Sequence, residues 1–554
     1  MLKALIFINF LQSLPLFILQ DTIVVTESHT AGTVFIAPYF YSVSTLQSSN
    51  DFLFSNALIF RGINYSSMSI GGTAPEQNSI LFAGIYLPNA MLGYTDPSLL
   101  PLSSVKYVEV LNSSSPLLSF PGIGGTLNLV PDNTPLKLKI SNYEKNINST
   151  FKINPKIRIG FSYETFVDSY KVNIDNLSFF VNNTGYKKLG FLMEDTEGKN
   201  SLILVRRDAG APSPLGGIYH GHRSEILEGT KISFPLPHGI GVSLNQSAFY
   251  QVYTSPSQID THFVANVLMN FRWKFFQGSY SLDFAKSTKI GSKSRQKLTI
   301  GAKNLEIYTS LLTVHPSFIF ILTKNQTQLI PLYSIALSKN INRTFFVFTS
   351  YSRTYREPTF NELYWPEDPF ARGNTKLYPE KGTNVDLGFR IATGNTLLSG
   401  TTFFKYISNA IVWIQEDKYT PVNYSVVRHY GVNFSLFHSR GSISTDLNIN
   451  VQKSYLSDMP YLYRPEISLN ALIKVFFTSF SFTYIGKRPE RPNSTKMMPP
   501  IYLLSTSVVK KFELKNLEIE ISGGAENLLD VNYSLIPGYP QPGRSFYLEM
   551  EIRR

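Results

Sequence analysis

The chain has 554 residues, and its composition narrows the classes of protein to which it can belong. Hydrophobic residues make up 43% and charged residues 16%, a lower charged share than soluble domains usually carry. The 32 Tyr and 41 Phe favour β-strands and also match the aromatic girdles of membrane barrels. Cysteine is absent, which excludes disulfides and thiolate metal sites.

The net charge of +12 comes from 51 Lys and Arg against 39 Asp and Glu. The basic residues are scattered along the chain, so they do not form the concentrated patch that is typical of nucleic-acid binding. A basic surface also attracts anionic lipid headgroups or an anionic ligand. We therefore expect lipid and small-molecule partners and no nucleic acid.

The first 20 residues have the pattern of a secretory signal peptide. Lys3 gives a positive start, and residues 4–19 form a nearly unbroken apolar stretch that is short for a membrane span. We predict cleavage before Asp21. A secreted chain without a later apolar helix either folds in the periplasm or spans the outer membrane as a barrel.

Apolar and polar residues alternate repeatedly through the long C-terminal part of the chain. In residues 545–552, Phe546, Leu548, Met550 and Ile552 alternate with serine, tyrosine and glutamate. Successive strand side chains point to opposite faces, so each such segment has one apolar and one polar face. A β-sandwich and a membrane barrel both produce this pattern, but closely spaced glutamates fit a hydrated lumen better than a dry core.

The composition also divides the chain into two parts. Residues 21–134 hold short apolar runs broken by Gly, Ser and Asn, which indicates a compact domain of mixed structure. Residues 135–554 provide roughly 19 residues for each strand and its connection if they form about 22 membrane strands. We therefore expect a compact domain followed by a barrel.

The predicted mature N-terminus is an extended, β-branched hexapeptide that could join the edge of a sheet in another protein. Main-chain pairing supplies the binding energy in such a contact, so the side chains need only favour an extended chain. Any short apolar strand would look similar. The hexapeptide consists of Asp21, Thr22, Ile23, Val24, Val25 and Thr26.

Two further segments precede the predicted barrel. The first contains Arg61 and Gly62 and is followed by a strand that ends at Ala83 and a glycine. The second contains a strand with Glu109, after which Asn112 and a serine follow. The second segment ends in a glycine-rich stretch, in which the residues of interest are Gly124, Gly125 and Asn128.

A fourth set of segments lies in the barrel and at its end. Residues 355–364 read YREPTFNELY, and residues 526–530 read ENLLD. Residues 542–546 read PGRSF, and the chain ends on Arg553 and Arg554.

In this order, the four segments resemble the TonB-dependent outer-membrane receptor family, and most closely its cobalamin and siderophore receptors. The N-terminal hexapeptide resembles the Ton box of cobalamin receptors. The chain departs from the family pattern at Ala83, where aspartate is usual, and at Asn112 and Ser113, where arginine and glycine are usual. It also ends on Arg554, where the family usually has an aromatic residue.

The resemblance implies an all-β transmembrane barrel of about 22 antiparallel strands, with an N-terminal α+β plug domain inside the lumen. The expected divisions are a signal peptide at residues 1–20, the Ton box and plug at residues 21–134, and the barrel at residues 135–554. The TonB energy-transducing complex would pair with the Ton box and drive import of cobalamin or a ferric siderophore. We expect a monomer in the outer membrane of a Gram-negative bacterium, with no cofactor.

The resemblance also suggests roles for individual plug residues. Arg61 is expected to form an ion pair with Asp386 or Glu380 of the barrel, or else to bind carbonyl groups of the plug itself. Glu109 carries the same two alternatives. An apolar and aromatic apex would suit a large hydrophobic or macrocyclic ligand. The candidate ligand contacts are Met68, Asn89, Met91 and Tyr94.

His220 and His222 lie two residues apart, close in sequence to Arg206, Arg207 and Arg223. On a strand the two imidazoles would share a face, which could bind a metal or haem. The basic residues could instead attract an anionic ferric siderophore. Because paired histidines are more often structural or solvent-facing, no metal site is predicted.

Other classes of function remain open at this stage. A passive porin would lack the plug and the Ton box, and a surface-binding protein or a haem or metal-chelate receptor would share the barrel. The sequence contains no G-x-S-x-G, H-E-x-x-H or P-loop motif, so we predict no catalytic residues and no enzyme activity.

Overall fold

The computed structural model describes most of the chain from residue 32 to residue 553. The described residues are 32–36, 39–45, 53–54, 57–112, 122–174, 177–213, 220–256, 258–274, 276–302, 307–308, 313–323, 329–415, 417–490 and 496–553. The predictions for the signal peptide, the Ton box, Ser113 and Arg554 lie outside the described residues.

An N-terminal domain, defined here as the described residues between 32 and 131, contains two small sheets. The strands are β1 (Gly32–Ile36), β2 (Tyr39–Thr45), β3 (Leu53–Phe54), β4 (Ala57–Arg61), β5 (Ser66–Ile70), β6 (Asn78–Phe82), β7 (Ile85–Tyr86), β8 (Val105–Asn112) and β9 (Gly125–Pro131). One sheet has the order β1-β2-β8-β9-β6-β7, in which β6 and β9 are parallel, and the other has the order β3-β4-β5. Three short 3-10 helices occupy Pro75–Gln77, Pro97–Leu99 and Leu102–Ser104.

A closed antiparallel barrel of 22 long strands forms the rest of the molecule. Its first half comprises β10 (Leu136–Ser141), β11 (Glu144–Asn154), β12 (Ile157–Phe166), β13 (Ser169–Ile174), β14 (Leu177–Asn182), β15 (Tyr186–Asp195), β16 (Ser201–Pro212), β17 (His220–Leu236), β18 (Ile240–Ser255), β19 (Gln258–Trp273), β20 (Phe276–Ser287), β21 (Gly291–Ala302), β22 (Ile307–Tyr308) and β23 (Thr313–Thr323). Of these, β13 and β14 form a hairpin that is not part of the barrel sheet. A 3-10 turn at Pro237–Gly239 joins β17 to β18.

The second half closes the barrel, because β37 pairs with both β36 and β10. It comprises β24 (Leu329–Asn340), β25 (Phe345–Arg356), α1 (Phe360–Tyr364), β26 (Glu380–Thr393), β27 (Thr396–Gln415), β28 (Tyr419–Arg440), β29 (Ile443–Leu456), β30 (Met459–Pro460), β31 (Ile467–Val475), β32 (Thr478–Ile485), β33 (Arg488–Pro489), β34 (Met497–Met498), β35 (Ile501–Leu514), β36 (Leu517–Glu526) and β37 (Ser545–Arg553). Strands β22 and β30 are two-residue additions, and β33 and β34 form a separate hairpin. The predicted all-β barrel of about 22 antiparallel strands is confirmed.

Side-chain alternation gives the barrel wall an apolar outer face and a polar inner face. Leu189 and Leu548 point outward and are 55% and 60% exposed. Glu549 and Glu551 point inward, where both bind the ammonium group of Lys137 at 3.4 and 3.0 Å. An outer apolar surface in a closed barrel is what contact with lipid requires.

The connections at the two ends of the barrel differ in length. At one end, residues 155–156 and 394–395 form tight turns. At the other end, residues 167–185, 357–379 and 527–544 form long connections. Outer-membrane barrels have short periplasmic turns and longer extracellular loops, so the long connections mark the extracellular end.

The N-terminal domain lies inside the barrel. Asp96 binds Arg207 on β16, and the backbone oxygen of Gly124 accepts a hydrogen bond from Lys405 on β27. In the strand order of the barrel, β16 and β27 are on opposite sides. A domain that contacts inward-facing side chains on both sides must occupy the lumen between them.

The departure from the family pattern at Ala83 lies in a tight turn between β6 and β7. Ala83 and Gly84 have φ angles of 51° and 73°, the left-handed values that a two-residue hairpin requires. Alanine in this conformation costs about 1–2 kcal/mol, a penalty that aspartate, asparagine and glycine reduce. A hydrogen bond of 2.9 Å from the Ala83 amide to the Leu129 oxygen holds the turn.

Candidate functional site: the covered tip of the lumen domain

The long connections and the upper wall close over the tip of the N-terminal domain. The side-chain amide of Asn64 donates hydrogen bonds to the backbone oxygens of Thr184 and Gly210, both at 2.9 Å. Arg223 donates to the backbone oxygen of Asn64. Asn64 has a left-handed φ of 57°, which asparagine adopts more readily than most residues. The tip is therefore fixed to β16, β17 and the connection before β15.

Tyr65 and Tyr94 form a pair at the same tip. Their hydroxyl groups are hydrogen bonded, and their rings meet edge to face with centroids 6.4 Å apart. Burial raises the pKa of Tyr65 to about 12, so its phenol stays protonated at neutral pH. Tyr94 is partly exposed, whereas the other three candidate ligand contacts are buried.

The connection that contains α1 covers the candidate contacts near residue 90. The Phe360 amide donates to the Ala90 oxygen at 2.9 Å, and the Asn361 amide donates to the Met91 oxygen at 3.2 Å. The thioether sulfur of Met91 lies 3.1 Å from His262 Nδ1. Met91 is only 1% exposed, so a ligand reaches it only if this connection moves.

The remaining two candidate contacts have different surroundings. Asn89 is buried, and its side-chain oxygen accepts hydrogen bonds from the amides of Met91 and Leu92 at 3.1 and 3.0 Å. Met68 lies in the hydrophobic core of the N-terminal domain with Ile59. Met68 is therefore placed in the core of the domain and not at its apex, because strand β5 is buried along its whole length.

A buried charge cluster joins the domain to the wall at β16 and β17. The guanidinium of Arg207 lies 2.6 Å from Glu225 and 3.1 Å from Asp96, and it donates to the Ser98 hydroxyl at 2.8 Å. Burial tends to raise the pKa of Asp96, but Arg207, Arg223 and hydrogen bonds from Ser98 hold that pKa below its usual value. Asp96 therefore stays ionised and tied to the wall.

A second cluster joins the domain to β25 and β26. Arg356 binds Glu362 at 3.1 Å and Glu380 at 2.7 Å, and Glu380 also accepts a hydrogen bond of 3.1 Å from Gln77. Burial raises the pKa of the neighbouring Glu76 to about 7; Arg356 opposes this rise and Glu362 adds to it. The sequence segment 355–364 thus connects the wall to the N-terminal domain.

Basic side chains of the barrel also bind backbone oxygens on the side of the domain that faces β27 and the connection before β31. Arg464 donates to the oxygens of Gly72 and Thr73, both at 2.7 Å, and Lys405 donates to the oxygen of Gly124. Sequence reasoning missed both basic residues, since a backbone acceptor leaves no acidic partner to find. The signal for these contacts in the sequence was the presence of glycine at two of the bound positions, Gly72 and Gly124.

The glycine-rich stretch that contains Gly124 and Gly125 is tightly packed. Gly125 has a φ of 140°, in the range that favours glycine. A Cβ atom added to Gly124 would overlap the side-chain oxygens of Asn78 and Thr73. These two glycines therefore permit a close approach between β9 and the 3-10 turn before β6.

Glu109 is fully buried within the N-terminal domain. Its Oε2 accepts a hydrogen bond of 2.7 Å from Asn128, while its Oε1 has no hydrogen-bond partner. Burial raises the pKa of Glu109 to about 8, and the hydrogen bond from Asn128 offsets part of that rise. The structure therefore places Glu109 with Asn128 inside the domain, where burial favours the protonated form of its carboxyl group.

Arg61 lies at the tip, where Gln541 donates to the backbone oxygens of Arg61 and Gly62, each at 3.3 Å. Its predicted ion-pair partners, Glu380 and Asp386, lie on β26. Glu380 is bound by the arginine of the second charge cluster. Arg61 instead lines a cavity on another part of the wall.

His222 and the basic residues near it in sequence do not form one cluster. His222 is exposed on the outer side of β17, and Arg206 is exposed on the outer side of β16. Arg207 and Arg223 point inward to the N-terminal domain. His220 begins β17, and its side chain is outside the described part. Among the described residues, no group of three or more His, Asp or Glu could hold a metal ion.

A cavity of about 220 Å³ lies between the tip of the domain and the wall formed by β10–β12, β15, β16, β31, β32 and β35–β37. Its aromatic lining consists of Tyr65, Tyr143, Phe166, Tyr170, Tyr186, Tyr533 and Tyr547. Much of the remaining lining consists of hydroxyl and amide side chains. Such a surface combines flat apolar rings with hydrogen-bonding groups, which suits a polar organic ligand.

No helix among the described residues has the length and apolar character needed to cross a membrane.

Comparison with known proteins agrees with this geometry. A family model described as "TonB dependent receptor-like, beta-barrel" matches residues 93–528. The vitamin B12 transporter BtuB of Vibrio cholerae serotype O1 is 28% identical over 229 residues, covering 39% of this chain and 36% of the transporter. That of Photobacterium profundum is 24% identical with the same coverage. The match thus spans about a third of those transporters.

Solved structures share the whole fold at low sequence identity. The siderophore receptor PirA from Acinetobacter baumannii superposes with a TM-score of 0.69 at 13% identity, covering 92% of this chain and 98% of that receptor. The copper transporter OprC gives a TM-score of 0.70 at 12% identity, covering 93% and 98%.

A barrel of 22 strands with a domain in its lumen defines a class of outer-membrane receptors, and the family match makes the assignment specific. The chain belongs to the TonB-dependent receptor family. Members of this family are outer-membrane receptors and transporters for small ligands, work with TonB, and are not enzymes.

Proposed function

We propose that this protein actively imports a scarce nutrient, with cobalamin as the first candidate, across the outer membrane of a Gram-negative bacterium. The observation that carries the proposal is the N-terminal domain, which fills the lumen and is held there by buried contacts such as Asp96 with Arg207. A filled lumen argues against a passive porin. Import through it then requires an input of energy to displace the domain.

In this proposal residues 1–20 are a removed signal peptide, residues 21–134 carry the Ton box and the plug, and residues 135–554 form the barrel. The Ton box at residues 21–26 would pair with the TonB complex by strand addition. The outer membrane holds no ATP, so an inner-membrane complex has to supply the work. The receptor would act as a monomer.

Two observations favour cobalamin as the cargo. Two of the similar proteins described above are vitamin B12 transporters, although the match covers 36% of their length. The cavity at the tip is lined by tyrosine rings with hydroxyl and amide groups, which suits contact with an amide-bearing molecule. A ferric siderophore is the second candidate, because the fold also matches a siderophore receptor.

Ligand binding would involve the tip of the domain and the connections above it. Tyr94 is the most exposed of the candidate contacts, whereas Asn89 and Met91 would become available when the connection with α1 moves. Met68 is in the core and would support the tip from below. A closed cover that opens for ligand would separate the cargo from bulk water during transport.

The test is uptake of labelled cyanocobalamin in a strain that lacks its own cobalamin receptor and expresses this protein. The proposal predicts accumulation that stops when the proton gradient is dissipated. A labelled ferric siderophore serves as the parallel cargo, and accumulation of that cargo alone would favour the second candidate. Uptake that continues without the gradient would contradict active import and favour a passive channel.

A further inference from the structure

One arc of the barrel wall differs from the rest in how closely the N-terminal domain covers it. On much of the wall the inward-facing serines are buried beneath the domain, among them Ser201, Ser243, Ser247, Ser281, Ser350 and Ser399. On β31, β32 and β35 six inward-facing polar side chains are partly exposed. These are Asn470, Ser479, Ser481, Thr483, Ser505 and Ser507.

The exposed arc lines the 220 Å³ cavity, which continues from the extracellular connections into the lumen. Tyr170 and Gln541 line its outer part, and Ser479 and Ser507 line its inner part. With a rise of about 3.3 Å per strand residue, the stretch of β35 from Leu503 to Ser507 alone extends about 13 Å along the wall. The cavity is therefore an elongated space between the domain and this arc.

The lining of this space is polar but offers little net charge. Several charged groups at its border are neutralised within close pairs. Lys188 lies 2.6 Å from Glu164, and Lys139 lies 2.8 Å from Glu526. The six partly exposed side chains of the arc are serine, threonine and asparagine, which donate and accept hydrogen bonds without carrying charge.

The ion pairs that hold the domain are on other strands of the wall, although Arg207 borders the same cavity. Asp96 is bound by Arg207 on β16, and Gln77 is bound to Glu380 on β26 beside the second charge cluster. In the part of the chain that the structure describes, no ion pair links the N-terminal domain to β31, β32 or β35. Widening the space along this arc therefore breaks no buried charge pair, which would be costly to break.

We propose that the arc formed by β31, β32 and β35, together with the facing surface of the N-terminal domain, is the passage through which the cargo crosses the barrel. The passage is suited to an uncharged solute rich in amide and hydroxyl groups. This inference rests on the proposed function, because it names the route and the chemistry of the same imported cargo.

The chain contains no cysteine, so single thiols can be placed without background. Ser481→Cys and Ser505→Cys put a thiol on the passage, and Ser247→Cys puts a matched thiol on the buried inner face of β18. Whole cells are treated with a membrane-impermeant thiol reagent, and the labelling rate is measured. Binding and uptake of labelled cyanocobalamin are measured before and after labelling.

We expect Ser481→Cys and Ser505→Cys to react at least about tenfold faster than Ser247→Cys, since a buried thiol reacts only when its surroundings open. We also expect a bulky label at either passage position to abolish uptake while surface binding of cyanocobalamin persists. Equal labelling rates at the three positions would overturn the proposal. Unchanged uptake through receptors fully labelled at both passage positions would also overturn it.

The two proposals fail in different ways. If unlabelled cells do not accumulate cyanocobalamin, the proposed cargo is wrong, and the labelling rates still decide whether the arc is an open passage. If cyanocobalamin accumulates and labelling at the arc has no effect, the active import stands and the proposed passage is wrong.

Discussion

The guanidinium of Arg207 on the barrel wall lies 3.1 Å from the carboxylate of Asp96 in the lumen domain, and the Arg207 side chain is only 1% exposed. Arg207 also binds Glu225 at 2.6 Å, so its single positive charge compensates two carboxylates away from water. This contact joins the lumen domain of the receptor to the barrel wall.

Replacing Arg207 by glutamine should destabilise the folded receptor strongly. The change removes the guanidinium that lies between Asp96 and Glu225 and leaves only the more distant Arg223, 3.9 Å from Glu225, as a cation. Breaking a buried pair in this way costs about 3–5 kcal/mol. Thermal unfolding in detergent and hydrogen exchange of residues 66–98 would measure the effect. As a control, Lys511→Gln breaks an exposed pair with Glu518 and should cost less than about 1 kcal/mol. Equal effects for the two variants would contradict the assigned role.

Glu109 should make the lumen domain less stable as the pH rises. Its pKa is about 8 in the folded chain, above the usual value of 4.5, so the folded state keeps a proton that the unfolded state releases. Stability therefore falls between about pH 4.5 and about pH 8, and Glu109→Gln should flatten that dependence. Hydrogen exchange of residues 105–131 at several pH values is the measurement. A variant with the same pH dependence as the native chain would refute the assignment.

Gly124→Ala should disturb the contact between β9 and the turn at Thr73. The added Cβ overlaps the side-chain oxygens of Asn78 and Thr73, and overpacking of this kind costs about 1–3 kcal/mol. Gly241→Ala on β18 is the control, because no atom lies within 4 Å of its added Cβ. Thermal unfolding of both variants would distinguish them, and a loss of stability confined to Gly241→Ala would contradict the packing described here.

The barrel was predictable from the sequence because lipid-facing and lumen-facing residues must alternate in every strand. Leu548 and Glu549 illustrate this, since the first is exposed outside and the second binds Lys137 inside. The strand count of about 22 followed from the chain length and the family resemblance. Alternation also predicts which neighbouring residues share a face with His222. It does not predict whether that face is the inner or the outer one.

The contacts between the domain and the wall were less predictable. Arg464 and Lys405 bind backbone oxygens, which carry no sequence signature. Glu380 was one of the two barrel carboxylates considered as partners of Arg61, but it binds Arg356, because the connection with α1 folds back on the barrel. Burial of Met91 beneath that connection likewise depends on tertiary structure that periodicity does not report.

The central claim, energised import through a TonB contact, is tested most directly by uptake of labelled cyanocobalamin into cells that express Val24→Pro. Proline removes a main-chain donor and prevents strand pairing at residues 21–26, whereas Val24→Ala keeps the donor and serves as the control. We expect Val24→Pro to abolish uptake while surface binding persists, and Val24→Ala to retain uptake. Normal uptake by Val24→Pro would contradict the account and point to a passive channel or a different coupling segment.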